Sequence, residues 1–245
     1  MQSGSVENVF ARAWDLLTKN WVIVVPGVVV GLIVGVVIGI LVPPQPYGDP
    51  TTTGGTLARA AAGAVSGAIA AVVGLIGFIV TQCYTAGMAG AAWRTGTATL
   101  RDGSAAVNED AGNVFVAAIG IALLAILAAI LIPFTLFLSI FAFYLLTLYT
   151  IPAAVVGNRR GFAAIRESFT LARARFGPTL IIAIVLAVLN FIAGLIGLAF
   201  AFVPILGTVI SAVIDQIAVA YATLVIVGEY LVLRETVAPP SPPVY

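Results

Sequence analysis

The amino-acid sequence predicts an all-α polytopic membrane protein with six transmembrane helices. Three observations predict it: six apolar runs long enough to cross a bilayer, a scarcity of charge, and the confinement of nearly all basic residues to alternate connections. Of 245 residues, 61% are apolar and 9% charged, whereas soluble domains carry about 25% charged residues. With a mean hydropathy of +1.15, there is too little polar surface to coat a water-soluble globule. The net charge of +1 points to no nucleic acid or acidic partner.

A hydrocarbon core about 30 Å thick needs about 20 apolar residues per helix. The first run, 21–42, ends at Pro43-Pro44, is too long for the apolar part of a signal peptide and follows no basic leader. It is read as a retained span. The second, 57–93, is longer than a bilayer requires. The third and fourth, 113–132 and 134–156, are separated only by Pro133, which predicts a tight antiparallel hairpin. The last pair, 178–202 and 207–233, turns at Pro204, and a Pro-rich tail over 236–245 is expected to be disordered.

Lys and Arg in short loops stay on the cytoplasmic side. Arg12 and Lys19, Arg94 and Arg101, the group Arg159, Arg160, Arg166, Arg173 and Arg175, and Arg234 all fall on one side of a six-span arrangement. The connections on the other side carry no basic residue, and Arg59, just inside the second span, is the sole exception. Both termini are therefore expected in the cytoplasm. Ten of eleven basic residues are Arg, and Ala, Gly and Val are heavily used, a composition that suggests a GC-rich bacterial genome and hence a bacterial inner membrane. Trp14, Trp21 and Trp93 map to the cytoplasmic boundary, where indole rings favour the headgroup region.

Segments 1–20 and 160–176 read as amphipathic cytoplasmic helices. Val6, Phe10, Ala13, Trp14 and Leu17 recur at helical spacing in the first, as do Phe162, Ile165, Phe169 and Ala172 in the second. Leu100 to Ala111 would be a short, degenerate third copy, so that three hairpins form a pseudo-repeat about an axis along the membrane normal. The alternative is the ordinary alternation of any polytopic chain.

Histidine is absent and Cys83 is the lone cysteine, which removes imidazole catalysis, internal disulfides and the usual zinc or haem ligand sets. No phosphate-binding loop, nucleophile–base pair or paired carboxylates at motif spacing occurs. Neither an enzyme nor a bound cofactor is expected. Asp215 is the one carboxylate deep in an apolar run, where ionisable groups are costly and read as functional candidates. Counting from the Pro204 turn puts it level with Asn190, with Ser211, Gln216 and Gln82 able to extend a polar cluster. Two readings stand: interhelical glue, or an ion- or proton-linked site. Glu229 is expected to pair with Arg234 or with the basic amphipathic helix. Gly27, Gly31, Gly35 and Gly39 recur every four residues on the first span, and Gly63 and Gly67 on the second. They predict close helix packing, within the chain or between copies, or a groove for lipid. The five arginines between 159 and 175 face only one acidic residue, Glu167, as in a helix lying at an anionic membrane surface or docking a partner.

The run Tyr149-Thr150-Ile151-Pro152-Ala153-Ala154-Val155-Val156, a Gly-containing turn, and then Gly161 to Arg173 resemble the bacterial six-helix membrane domains exemplified by the membrane anchor of glycerophosphodiester phosphodiesterases. Ala11 to Leu17 with Asn20-Trp21, and Tyr230 to Glu235, fit the same plan, so the resemblance spans nearly the whole chain. Where such sequences often carry an acidic residue, this one has Gly157-Asn158. The resemblance implies the architecture and no activity, because the phosphodiesterase domain is missing. The expectation is a non-catalytic scaffold or accessory subunit, with anionic lipids, other membrane subunits or a second copy as partners. A small permease centred on Asp215, Asn190 and Gln82 is the alternative.

Overall fold

The computed structural model describes residues 6–42, 53–135, 138–200 and 206–237. Every regular element among them is helical: α1 (Val6–Lys19), a 3-10 turn (Trp21–Val24), α2 (Val25–Leu41), α3 (Thr53–Thr95), α4 (Leu100–Ile130), α5 (Ile132–Thr135), α6 (Leu138–Thr147), α7 (Thr150–Val155), α8 (Phe162–Ala174), α9 (Phe176–Phe200) and α10 (Leu206–Val237). Among the described residues, six helices are long and apolar enough to cross a membrane: Trp21–Leu41, Ala62–Thr95, Leu100–Ile130, Leu138–Val155, Phe176–Phe200 and Val209–Thr236. Of the expected connections 43–56 and 203–206 and the expected tail over 236–245, residues 43–52, 203–205 and 238–245 lie outside the described residues, as does the side chain of Arg59. Helix α10 runs on to Val237, past the expected start of that tail.

The third span begins 13 residues earlier than the apolar run suggested. Leu100 to Ala111 is not a separate stretch but the opening of α4, started by a capping box in which Thr99 N–H donates to Asp102 Oδ2 at 2.8 Å and Asp102 N–H to Thr99 Oγ1 at 3.4 Å. Reciprocal capping satisfies two otherwise orphaned amides, so the helix starts here despite the charges that follow. At the other end of α4 the turn near Pro133 is the single-turn α5, closed by Ser139 Oγ donating to Ala128 O at 2.8 Å.

The fourth span is broken between α6 and α7. Pro152 has no amide to offer the carbonyl four residues back, and its ring crowds that position. Ser168 of α8 bridges the break at Leu146 and Tyr149. Its hydroxyl donates to Leu146 O at 2.6 Å and accepts from Tyr149 N–H at 3.1 Å, and the side chain is fully buried. Helix α8 is thereby stapled to the break.

One end of the bundle collects α1, α8, the turn Gly96–Thr99 and the C-terminal part of α10. Tyr221 Oη donates to Phe10 O at 3.3 Å, and the Arg12 guanidinium sits 4.7 Å above the Trp93 ring. Trp93 itself is buried rather than set at a lipid boundary, with its indole N–H donating to Leu224 O at 2.8 Å. The tight core lies at this end, where Cys83, Met88 and Trp93 of α3 meet Tyr149 at the start of α7, Leu171 of α8, and Leu224 and Tyr230 of α10. Toward the other end, Ile33 and Ile40 of α2, Ile130 of α4, and Phe191 and Leu198 of α9 face outward, as hydrocarbon contact requires.

Within the described chain, the four-residue glycine spacing marks a close helix contact only at Gly27. A methyl group at Gly31, Gly35, Gly39, Gly63 or Gly67 would meet nothing within 4 Å, whereas one at Gly27 would lie 1.9 Å from Gln216 Oε1. Helix α2 instead lays Val34 against Gly77 of α3, so the register of the pair is set further along α3. Gly228 packs directly against the buried indole, and a Cβ there would fall 2.1 Å from Trp93 Cζ2. The hydrogen bond to Leu224 keeps that ring from swinging away. Gly228→Ala is expected to destabilise the fold by about 1–3 kcal/mol, read as a lowered thermal midpoint in detergent with Trp93 fluorescence shifted toward that of an exposed indole.

Candidate functional site

The turn joining α7 to α8 is built to present Arg159. Gly157 N–H donates to Pro152 O at 3.0 Å and Arg159 N–H to Ala153 O at 2.9 Å, while Asn158 (φ 54°) and Gly161 (φ 49°) adopt left-handed backbone angles. Asparagine and glycine tolerate that region best. Arg159 Nε then pairs with Glu167 Oε2, and Tyr230 Oη donates to Glu167 Oε1 at 2.7 Å. Turn, α8 and α10 are locked together through one carboxylate.

Around this lock runs a groove of about 350 Å³ walled by Arg159, Arg166, Glu167, Thr170 and Arg234. In the sequence Arg234 stands as a topology signal and as an expected partner of Glu229, and nothing in a linear pattern places it beside α8. A second groove of about 530 Å³, lined by Phe162, Ile165, Phe169 and Arg173, shares Arg166 and Thr170 with the first. These two residues form the outward ridge of α8, since Ala164, Ile165, Ser168, Leu171 and Ala172 turn inward. Arg160, Arg173 and Arg175 are exposed. Among the described residues, the only arginine in an ion pair is Arg159.

The intramembrane cluster is only partly assembled. Asp215 and Asn190 both face outward, and they do not bond to each other: Asn190 Nδ2 donates to Leu186 O in its own helix at 2.8 Å. The reason is register. Ser211 Oγ donates to Gly197 O at 3.0 Å, which sets Asp215 opposite Ala193, about 4.5 Å along the axis from Asn190, and the pair looks away from the α9–α10 contact. Gln216 and Gln82 do come together. They line a cavity of about 330 Å³ with Thr81, Gly27 and Gly77 between α2, α3 and α10.

Glu229 pairs with no basic side chain among the described residues. It is 2% exposed, its Oε2 accepts no hydrogen bond, and Thr150 Oγ1 is likewise buried without a partner. Of the two expected partners, Arg234 turns to the α8 groove, and no arginine of α8 forms an ion pair with Glu229. Among the described residues no cluster of carboxylates and cysteine could hold a metal ion. No protein family, curated protein or solved structure matches the chain.

Proposed function

We propose that the chain is a non-catalytic integral protein of a bacterial cytoplasmic membrane. Both termini lie in the cytoplasm, and it serves as a scaffold or accessory subunit whose α8 face docks to the anionic headgroups of the inner leaflet. The observation that carries this reading is the unpaired arginine surface of α8. Arg166, Arg173 and Arg175 project outward without a carboxylate partner among the described residues. Guanidinium groups meet phosphates with paired N–H donors, and each basic residue near an anionic leaflet contributes about 1 kcal/mol.

The positions of the apolar side chains support the same picture. Helices α1 and α8 bury one face each, and Trp14, Trp21, Phe162 and Phe176 are exposed at the arginine-bearing end. Amphipathic helices with outward aromatics lie in the interface plane. The basic residues of the connections support this orientation through the bias of short cytoplasmic loops. The permease alternative lacks support, because neither Asp215 nor Asn190 lines the cavity that holds Gln82 and Gln216.

Replacing Arg166, Arg173 and Arg175 together with Gln is expected to weaken anionic-lipid binding on the order of 100-fold while the thermal midpoint in detergent stays near that of the parent. Native mass spectrometry with phosphatidylglycerol and phosphatidylcholine reads the effect. Unchanged retention of phosphatidylglycerol by a folded variant would overturn the reading.

A further inference from the structure

The charge balance of the α8 grooves singles out one class of lipid. Glu167 is fully engaged, one oxygen by the Tyr230 hydroxyl at 2.7 Å and the other by Arg159. Arg166 and Arg234, on the same groove, pair with no carboxylate among the described residues. Three guanidinium groups against one carboxylate leave the groove two positive charges in excess. A phosphodiester headgroup supplies one negative charge, whereas a phosphomonoester carries about 1.5 to 2 near neutral pH and three acceptor oxygens. The monoester matches the excess, and its oxygens suit the forked donors of two arginines approaching from α8 and α10.

The adjoining groove identifies the source of that phosphate. Phe162, Ile165 and Phe169 line a trough that shares the Arg166–Thr170 ridge with the basic groove, so hydrocarbon and phosphate are accommodated side by side. A free phosphate would use only one of the two. We infer that the paired grooves bind a lipid with a terminal phosphomonoester, its phosphate between Arg166 and Arg234 and its apolar portion along Phe162, Ile165 and Phe169. This rests on the docking reading above and goes beyond it, since docking requires only negative charge and this site requires a dianion.

The test is native mass spectrometry of the full chain in detergent, titrated with phosphatidic acid, phosphatidylglycerol and phosphatidylcholine, and with inorganic phosphate as competitor. The parent protein is expected to bind phosphatidic acid at least tenfold more tightly than phosphatidylglycerol. Arg234→Gln and Arg166→Gln should each abolish that preference, with Arg234→Lys intermediate, while Arg175→Gln weakens both anionic lipids alike. Arg166 is exposed, so its replacement does not threaten the fold, and equal thermal midpoints confirm this for each variant. Equal binding of the two anionic lipids by the parent overturns the monoester site but leaves leaflet docking standing. Loss of discrimination between either anionic lipid and phosphatidylcholine overturns both. Displacement of phosphatidic acid by millimolar inorganic phosphate overturns the lipid assignment in favour of a soluble phosphate.

Discussion

Asn20→Ala is expected to loosen the arginine-bearing end of the bundle by about 2–4 kcal/mol. Asn20 is only 6% exposed. Its Nδ2 donates to Leu16 O at 3.0 Å and to Gly96 O at 3.2 Å, and its Oδ1 accepts from Ala98 N–H at 2.8 Å. One carboxamide thus closes α1, turns the chain into the first span and holds the connection between α3 and α4. Alanine leaves the Ala98 amide without this acceptor, and an unsatisfied buried donor costs more than the net worth of the bond it lost. Asn20→Asp keeps the acceptor but loses both donated bonds and adds a buried charge, so it should be no better than alanine. Thermal midpoints in detergent and the rate of tryptic cleavage at Lys19 and Arg94 are the readouts. A parental midpoint with unchanged cleavage in Asn20→Ala would show that the connection is held by something else.

What could be read from the sequence follows from what each signal depends on. Membrane spans depend on composition over about 20 residues, a local property, and all six runs appear as apolar helices. The gathering of Arg12, Arg159, Arg166 and Arg234 at one end follows from the same alternation. Helix ends were less legible, because capping chemistry outweighed hydropathy at Thr99, and because Pro152 breaks the fourth span where apolar character continues unbroken. The polar cluster failed on rotation and register. Residues on a helix point about 100° apart, so similar depth alone could not say that Asp215 and Asn190 turn outward while Gln216 turns in toward Gly27. Within the chain the glycine spacing marks a close contact only at Gly27, since spacing shows that a helix can be approached closely and not which neighbour, a helix of this chain, a second copy or lipid, does so. Ser168, Glu229 and Arg234 take their roles from partners 19 or more residues away or from burial, which no linear pattern encodes.

Gly157→Ala should strike both the fold and the docking site. A methyl group there would lie 2.0 Å from Tyr230 Oη and 2.6 Å from Ala153 O. The hydroxyl could retreat only by leaving Glu167, and the carbonyl is backbone that also accepts from Arg159 N–H. Overpacking of about 1–3 kcal/mol therefore adds to the loss of a hydrogen bond to a charged acceptor, worth about 1.5–3 kcal/mol. Once Tyr230 lets go, Glu167 and Arg159 lose the third member that fixes them, and the groove facing Arg166 and Arg234 loses its wall. Anionic-lipid binding should fall along with the thermal midpoint. A double-mutant cycle separates the two clashes: Tyr230→Phe alone costs only the bond to Glu167, and in the Gly157→Ala background it removes the hydroxyl that collides. The pair should be less destabilised than the sum of the single changes by about 1–2 kcal/mol, the remainder being the clash with the Ala153 carbonyl. Additivity within about 0.5 kcal/mol would mean that Tyr230 does not press on this turn, and that Arg159 is positioned by the backbone alone.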